Sequence, residues 1–430
     1  MLRIHRDIRI FLAHFLQLTF LKGISRILPL ATLPFLLRTI GVEKCGILEF
    51  VKSFSFYFTT FISYSFRYSA TEQISQYKHD KLTIGQILGA VYAIKLVAIV
   101  ASLAVLALLL YLVPSIRLAK SYCLCFFSIA VVSSLFPIYV FQGLEKIKWA
   151  TILNLLAKLL YLAGIFILVR EPSDAILIPI LLLIVDTLRL VVGLYLVYRI
   201  LGIAVYQPTW GMIYRQLQVG WHIFLSQLSV IFYTPLPIIF LGSFVSPTSV
   251  AIYSLGDRII RTTISMIEPF VQALFPLAST RVAQRLQTGF QFVGKIMLVS
   301  VGALLMISTS YWLWAASIIQ LFAGKPMPEA TYVLRLHAFL PCIIAISTLL
   351  GLAFLVPAGA GNQYTTIVFM TGLICVGLHG MYWMWGVQLQ AQGVAWIILI
   401  CEIFSAVMMT LEALRIYRRR GRRLASSPNK

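Results

Sequence analysis

Charged residues are scarce in this sequence, and acidic residues are the scarcest of them. Charged residues make up 11% of the chain, with 14 Asp and Glu against 35 Lys and Arg, whereas 60% of the residues are hydrophobic. A soluble domain of 430 residues needs many more polar side chains to cover its surface. The mean hydropathy of +0.91 therefore excludes a soluble domain. The composition therefore predicts a polytopic membrane protein.

The residues of enzymes and metal sites are also missing in any recognisable arrangement. The six histidines are scattered, and neither a Ser/His/Asp pattern nor a glycine-rich phosphate loop is present. Six cysteines lie mostly inside apolar runs, and apart from one Cys-x-Cys at Cys123 and Cys125 they lack the spacing of metal ligands. The sequence thus predicts no catalytic residues, no metal, no disulfide and no cofactor.

Alternation of polar and apolar residues, the pattern of a membrane barrel, is absent too, and the apolar runs are continuous. About twenty apolar residues span a bilayer as a helix. The first run follows a basic start, "MLRIHRDIR", but it is too long for a signal peptide and has no small-residue cleavage site, so we interpret it as a retained helix. We predict an all-α fold of about twelve transmembrane helices, with approximate spans at 10–37, 46–66, 85–112, 121–141, 150–169, 175–198, 220–242, 249–279, 291–319, 332–356, 364–384 and 391–417.

A polar segment at the middle of the chain, "RILGIAVYQPTWGMIYRQLQVG", separates six spans from six. A weak echo between "LPFLLRTIGVEKCGILEFVKS" and "LPIIFLGSFVSPTSVAIYSLGDR" supports two related six-helix lobes around a central cavity, as many transporters have. We predict an N-terminal lobe at 1–199, a cytoplasmic inter-lobe linker at 200–219, a C-terminal lobe at 220–417 and a basic cytoplasmic tail at 418–430. Prolines inside the spans act either as plain kinks or as gating elements.

The basic residues outside the spans concentrate on one side of the membrane, above all in the tail "RIYRRRGRRLASSPNK". The positive-inside rule therefore places both termini in the cytoplasm. A net charge of +21 would suggest nucleic acid in a soluble protein, but a basic cluster beside a membrane span more usually binds anionic lipid. We predict membrane lipids and no nucleic acid as partners.

Basic residues also fall inside the predicted spans, where a charge at mid-bilayer costs about 2.5–3.5 kcal/mol. Asp186 and Arg189 are three residues apart, and Asp257 and Arg261 four apart, so each pair can meet on one helix face, in a structural or a functional role. Some lysines, such as Lys22, could snorkel to the interface instead. The remaining surplus of positive charge predicts a water-filled cavity that binds an anion, with arginine suited to phosphate.

Three stretches resemble one family in the correct order. "YSFRYSATEQISQYKHDK", between the second and third predicted spans, is similar to a Tyr-Gly-Phe, Ser-Ala-Thr, Ile-Ser, Asp-Lys pattern of the O-antigen flippase (Wzx-type translocase) family, in the polysaccharide transporter branch of the superfamily of multidrug and oligosaccharidyl-lipid exporters. "FPIYVFQGLEKIKWATILNLLAK" and "VAIYSLGDRIIRTTISMIEPFVQALFP" resemble two further family segments. The chain departs from the pattern at Ser65, Glu72 and Tyr139, and the role of Glu72 is open.

This resemblance implies a carrier in the bacterial inner membrane that moves an undecaprenyl-pyrophosphate-linked oligosaccharide from the cytoplasmic to the periplasmic leaflet by alternating access. A polymerase and a chain-length regulator of the same pathway are implied partners. The alternatives are a membrane polymerase or scaffold of polysaccharide assembly, or an exporter of another anionic lipid-linked substrate. We expect the pyrophosphate to contact basic side chains of the spans: Arg26, Lys52, Lys95, Lys158, Arg258 and Arg261. The candidates for ion coupling are Asp186, Asp257 and Glu268.

Two smaller expectations concern side chains near these sites. Tyr57, Tyr64, Tyr233 and Tyr253 either stack on sugar rings or simply pack in the core. Ser69, Thr71 and Asp80, in the predicted cytoplasmic join, are expected to cap helix ends.

Overall fold

The computed structural model describes residues 30, 32–231, 234–384 and 390–425. Every regular element within these ranges is helical, which confirms the predicted all-α polytopic membrane fold. In this part of the chain, eight helical stretches are long and apolar enough to cross a membrane: Lys81–Leu112, Lys120–Gly143, Ile147–Leu168, Pro172–Ile200, Leu286–Leu313, Pro328–Leu355, Gly361–Met384 and Ala391–Arg418. The first predicted span, 10–37, lies largely outside the described residues.

The chain divides into two compact units, Met1–Ile231 and Phe232–Lys430. The helices of the first unit that we label are α1 (Gly41–Ser63), α2 (Phe66–Gln76), α3 (Lys81–Leu112), α4 (Pro114–Leu118), α5 (Lys120–Leu135), α6 (Ile138–Gly143), α7 (Ile147–Leu168), α8 (Leu177–Tyr195) and α9 (Trp210–Ile231). Those of the second unit are α10 (Leu236–Phe244), α11 (Pro247–Ile264), α12 (Ile267–Gln284), α13 (Leu286–Leu313), α14 (Ala315–Ala323), α15 (Pro328–His337), α16 (Leu340–Thr348), α17 (Gly361–Met384) and α18 (Ala391–Ala425).

The segment around α9 differs from the sequence-based expectation of a linker. α9 begins at Trp210, inside the predicted linker, and packs against α2 and α3 of the first unit. Gly220 permits this approach because a Cβ at that position would lie 2.2 Å from Ser65 Oγ. The lobe boundaries at 199 and 220 stay a prediction. The second boundary falls inside α9.

The stretch from Tyr64 to Lys81, the predicted join between two spans, is helical over most of its length. It contains the 11-residue helix α2, which buries Phe66, Ser69, Ala70 and Ile74 against α6. Ser69 and Thr71 are therefore not caps, since their hydroxyls donate to the carbonyls of Ser65 and Arg67, one turn back inside the helix.

The cap predicted at the start of α3 is confirmed. The Asp80 carboxylate accepts hydrogen bonds from the backbone N–H groups of Leu82, at 3.0 Å, and Thr83, at 3.1 Å. These are two of the N–H groups that have no partner within the helix. Asp80 thus fixes the point at which the chain turns into the long apolar span.

Several predicted single spans are interrupted in the structure. α5 ends at Leu135 and α6 begins at Ile138, because Pro137 has no N–H to continue the helix. The predicted span 249–279 is wrong as one helix, since α11 ends at Ile264 and α12 begins at Ile267. Residues 220–242 are likewise divided between α9 and α10. Such breaks matter because they free backbone groups within the membrane.

The second unit is organised around a close contact of α11 with α15, and α18 packs against both. Gly256 of α11 allows this contact, because a Cβ there would lie 2.9 Å from Val333 and 3.0 Å from the Leu334 nitrogen. α11 begins with Pro247 at its first turn, and the hydroxyl of Ser246 accepts a hydrogen bond from the Ser249 N–H at 3.2 Å. The polar residue that follows Gly256 is consequently buried between helices.

Candidate functional site

The buried residue after Gly256 is Asp257, and it forms an ion pair within α11. Its side chain lies one helical turn before Arg261, and Arg261 Nε donates to Asp257 Oδ2 at 2.6 Å. Asp257 is 5% exposed, whereas the Arg261 side chain is 34% exposed. The spacing predicted this pair, and the structure adds that only the arginine end reaches the surface of the unit.

His337, the last residue of α15, contacts the same carboxylate from the opposite side. His337 is fully buried, at 0% exposed, with Nδ1 3.2 Å from Asp257 Oδ1 and Nε2 3.1 Å from the Ala395 carbonyl oxygen of α18. The Tyr253 ring stands edge-on to the imidazole, with 5.8 Å between the ring centroids. His337 therefore connects three helices, α11, α15 and α18.

Glu402 completes the group from α18. It lies seven residues after Ala395, about two helical turns, and is buried. It interacts electrostatically with Arg261, His337 and Asp257. We call Asp257, Arg261, His337 and Glu402 the Asp257 cluster. It holds two carboxylates, one permanent cation and one imidazole in the interior of the unit.

The first unit holds a buried cation of a different kind. Lys95 of α3 is 2% exposed, and its ammonium donates to the Ser134 carbonyl. Its Nζ lies 4.9 Å from the Tyr139 ring centroid and 5.9 Å from those of Phe66 and Tyr92. Among the residues that the structure describes, no carboxylate is in ion-pair distance of Lys95.

The Ser134 carbonyl is available to Lys95 because of the helix break at Pro137. The N–H of Ile138, which would bond Ser134 in a continuous helix, instead donates to the Phe136 carbonyl at 2.9 Å. The lysine thus binds a backbone acceptor that the break releases. Lys95 was predicted to contact pyrophosphate, and the structure encloses it among aromatic rings at this break.

The predicted pair on α8 also exists, within a small polar network of the first unit. Arg189 Nη2 lies 3.4 Å from Asp186 Oδ1, and its Nη1 donates to Asn154 Oδ1 at 2.9 Å. Ser133 Oγ donates to Asp186 Oδ2 at 3.0 Å. The guanidinium carbon lies 4.9 Å from the Phe136 ring centroid, next to the same helix break. Asp186 is therefore already bound by two partners.

The remaining predicted residues are spread over the two units. Lys52 Nζ lies 3.4 Å from Glu49 Oε2 on the exposed side of α1. Lys158 on α7 and Arg258 on α11 are half-buried. Arg26 lies outside the described residues, as does the side chain of Glu268, whose backbone is in α12. Of the predicted substrate ligands, Arg258 and Arg261 are the pair that shares one helix, three residues apart.

Side-chain hydrogen bonds connect α2 and the residues beside it to α9 in the first unit. We call the Gln73–Gln216 amide pair the α2–α9 latch. The side-chain amides of Gln73 and Gln216 hydrogen-bond each other reciprocally, at 2.6 and 3.3 Å. The Tyr64 hydroxyl donates to the Leu217 carbonyl at 2.9 Å, and its ring stacks on Phe224 with 4.5 Å between centroids. A pocket of about 520 Å³ lies beside Tyr64, and a smaller one of about 90 Å³ lies beside Gln73 and Gln216.

Two members of the Asp257 cluster, His337 and Glu402, are not among the site residues predicted from the sequence. His337 lies 80 positions after Asp257, and no local spacing relates the two. Glu402 is recognisable only as one of the few acidic residues within a span. No group of three or more His, Cys, Asp and Glu side chains in the described ranges is arranged to hold a metal ion.

Comparison with solved structures shows which fold these units build. An inward-facing multidrug resistance MATE family transporter of the MOP superfamily matches with a TM-score of 0.70 and 15% identity, over 92% of this chain and 98% of that chain. The lipid II flippase MurJ in an inward closed conformation also matches with a TM-score of 0.70, at 12% identity, over 96% of this chain and 94% of its own. The fold is therefore that of MOP superfamily transporters.

Two curated relatives carry the name "Putative O-antigen transporter". The one from Escherichia coli K12 is 28% identical over 369 residues, which cover 84% of this chain and 86% of the relative. The one from Shigella dysenteriae is 24% identical over 408 residues, which cover 93% of this chain and 98% of the relative. The profile of the family described as polysaccharide biosynthesis protein matches residues 11–281, more than half of the 430-residue chain. The resemblance read from the three sequence stretches is thereby confirmed, and the chain belongs to the polysaccharide biosynthesis protein family.

Proposed function

We propose that this chain is a flippase that moves an undecaprenyl-pyrophosphate-linked oligosaccharide, an O-antigen or related repeat unit, from the cytoplasmic to the periplasmic leaflet by alternating access. The names of the relatives and of the solved neighbours confirm the class, a multi-pass membrane transporter rather than an enzyme. The observation that carries the proposed substrate is the partly exposed arginine of the Asp257 cluster. The bacterial inner membrane, with both chain termini in the cytoplasm, is part of the same proposal.

The physical task sets the requirements for such a site. A polyprenyl tail can remain in the hydrocarbon, but a pyrophosphate with sugars cannot cross it without polar partners. Arg258 and Arg261 lie three residues apart, so their guanidinium groups start from neighbouring positions on one face of α11. Two guanidinium groups at this spacing suit the forked hydrogen bonding of phosphate oxygens.

The other predicted substrate ligands and the predicted protein partners are also part of this proposal. Lys52, Lys95 and Lys158 lie in the first unit, each on a different helix, and Arg26 lies outside the described residues. A polymerase and a chain-length regulator of the same pathway remain proposed partners.

The test is reconstitution of the purified protein in liposomes that contain a labelled polyprenyl-pyrophosphate oligosaccharide. We expect the protein to accelerate the exposure of inner-leaflet label to an external reagent. Arg258→Glu should abolish this acceleration, and Arg258→Lys should retain part of it. Lys325→Glu is the matched control, since it makes the same charge change at an exposed position of the same unit and should leave the rate unchanged.

Either of two outcomes would contradict the proposal. Acceleration by folded Arg258→Glu protein at the wild-type rate would overturn the assignment of Arg258. No acceleration by folded wild-type protein with several repeat units would favour a scaffold or polymerase component, or a carrier of another anionic lipid-linked substrate.

A further inference from the structure

We propose that His337 is a proton-binding site, and that its proton controls whether Arg261 is free to bind the anionic substrate. The first part concerns the chain alone. The second part rests on the proposed function. The argument starts from the hydrogens that the two ring nitrogens of His337 must carry.

The partners of His337 determine its tautomer. Nε2 lies 3.1 Å from the Ala395 carbonyl oxygen, which can only accept, so Nε2 carries a hydrogen. A neutral ring then has a bare Nδ1, and this atom lies 3.2 Å from Asp257 Oδ1, which is also an acceptor. Nδ1 and Oδ1 are both buried, and neither has a hydrogen bond within the described part of the chain. A proton on Nδ1 supplies the missing donor and makes a charge-assisted contact to the carboxylate.

The charges of the cluster favour the same proton. Asp257 and Glu402 carry two negative charges when ionised, and Arg261 carries one positive charge. With a neutral His337 the buried cluster has a net charge of −1, and with a protonated His337 its net charge is zero. Because uncompensated charge is costly in the interior of a membrane protein, protonated His337 is the better-balanced form whenever Glu402 is ionised.

The titratable groups around His337 are few and their places are known. α11 contributes Tyr253, Asp257 and Arg261, and α18 contributes Glu402. α14 carries no titratable side chain. On α13, the Tyr311 hydroxyl hydrogen-bonds Thr263 at 2.7 Å. Cys375 of α17 interacts with Arg261 and Glu402. On its own helix, Tyr332 and Arg335 are exposed. Within the described part of the chain, Arg261 contacts Asp257 at Oδ2 and His337 contacts it at Oδ1.

This arrangement couples the proton to Arg261. While His337 is neutral, Asp257 depends on Arg261 for its counter-charge and holds it at 2.6 Å. When His337 is protonated, Asp257 has a second cation, so Arg261 can turn its exposed end toward a phosphate at lower cost. Protonation and substrate binding then favour each other, and thermodynamic linkage makes the effect reciprocal. Binding of the substrate draws a proton from the solvent to Nδ1.

The chain offers a matched control for His337. His379 of α17 is also buried in the second unit, at 2% exposed, but its Nδ1 lies 2.8 Å from the carbonyl of Cys375 on its own helix. Its ring packs edge-on against Phe240, with 5.1 Å between centroids. Replacement of His379 changes a buried histidine that, in the described ranges, makes no hydrogen bond or ion pair with a member of the Asp257 cluster.

The first experiment tests the proton site without substrate. Full-length protein labelled with ¹⁵N-histidine, in nanodiscs, is studied by NMR between about pH 5 and about pH 8, the range in which histidine titrates. We expect, among the rings that titrate, one doubly protonated ring that belongs to His337 and becomes neutral as the pH rises. This signal should be absent in His337→Gln and present in His379→Gln. A His337 ring that stays neutral over the whole range would overturn the proton site.

The second experiment tests the coupling. Calorimetry in two buffers of different ionisation enthalpy measures proton uptake when a soluble short-chain polyprenyl-pyrophosphate oligosaccharide binds. We expect net uptake by the wild type and by His379→Gln, and about zero uptake by His337→Gln. Equal uptake by His337→Gln would overturn the coupling. Absence of any binding would instead contradict the proposed function, and the NMR result would still decide the proton site.

Discussion

The two units each bury a cation, and the surroundings of these cations differ. Lys95 in the first unit is bound by a backbone carbonyl and aromatic faces, none of which titrates near neutral pH. Arg261 in the second unit is bound by a carboxylate that a histidine also contacts, with a second carboxylate nearby. The groups that bind Lys95 have a single charge state. The carboxylates and the imidazole around Arg261 can each exist with or without a proton. A buried cation can therefore be bound by backbone and ring dipoles in one place and by ionisable side chains in another.

Removal of the shared carboxylate should have the largest effect. Asp257→Ala leaves Arg261 and His337 without their acceptor, and breaking a buried ion pair on one side costs about 3–5 kcal/mol. Thermal unfolding in detergent, followed by tryptophan fluorescence, measures the loss. The double variant Asp257→Ala/Arg261→Ala should recover part of the stability. A single variant as stable as the wild type would contradict the comparison.

Removal of the first unit's cation should cost less. Lys95→Met eliminates a buried charge that itself is costly, but it leaves the Ser134 carbonyl without its donor, at about 1–3 kcal/mol. The same unfolding measurement applies. A loss of stability for Lys95→Met as large as that for Asp257→Ala would remove the distinction between the two units.

A neutral contact in the first unit sharpens the comparison further. Gln73→Ala and Gln216→Ala each break the reciprocal amide pair between α2 and α9, and a typical hydrogen bond contributes about 0.5–1.5 kcal/mol. A double-mutant cycle should show a coupling energy of this size. Gln76→Ala, at an exposed position of the same helix, is the control and should show no coupling to Gln216→Ala. Equal coupling for both would contradict a specific latch.

The smallest expected effect concerns an exposed carboxylate. Hydrogen bonds from the Thr83 hydroxyl and backbone, and from the Leu82 backbone, lower the pKa of Asp80. A lowered folded-state pKa means that the stabilisation is present above the unfolded-state pKa and is lost as the pH falls through the folded one. Asp80→Asn keeps a capping oxygen that does not titrate, so its stability should lack this acid-side decrease. Identical pH profiles for Asp80→Asn and wild type would contradict the cap's electrostatic contribution.

Much of the fold could be predicted because the bilayer restricts it. Long apolar runs, the lack of alternation and the polar middle of the chain indicate membrane-spanning helices, and the structure describes eight candidate spans. The breaks were harder to locate. Pro137 gives a local reason for one, and Pro269, which has no N–H to bond the Ser265 carbonyl one turn back, gives a reason for the turn at Ser265 and Met266 between α11 and α12. The helix α2 was missed because its short, polar sequence is typical of a loop.

The candidate site shows the same division between local and distant information. Asp257–Arg261 and Asp186–Arg189 follow from spacing along a helix, and both pairs are present. His337 and Glu402 come from other helices, and the approach of His337 depends on Gly256, whose missing Cβ lets α15 pack close to α11. Lys95 was interpreted as a substrate ligand because a lone lysine in a span looks functional. Lys95 can bind the Ser134 carbonyl only because the helix breaks at Pro137, far from Lys95 in the sequence.

Tyr64, at the corner between α1 and α2, carries a consequence for the mechanics of the first unit. Its backbone, at φ 50° and ψ −125°, is in a region that favours glycine, and such strain costs on the order of 1–3 kcal/mol. The hydroxyl bond to Leu217 and the stack on Phe224 are what hold the residue there. The corner therefore keeps its conformational strain as long as α9 stays in contact with Tyr64. If α9 moves away, Tyr64 loses these contacts and can relax, so the strain at Tyr64 offsets part of the stabilisation that α9 gains from its contacts.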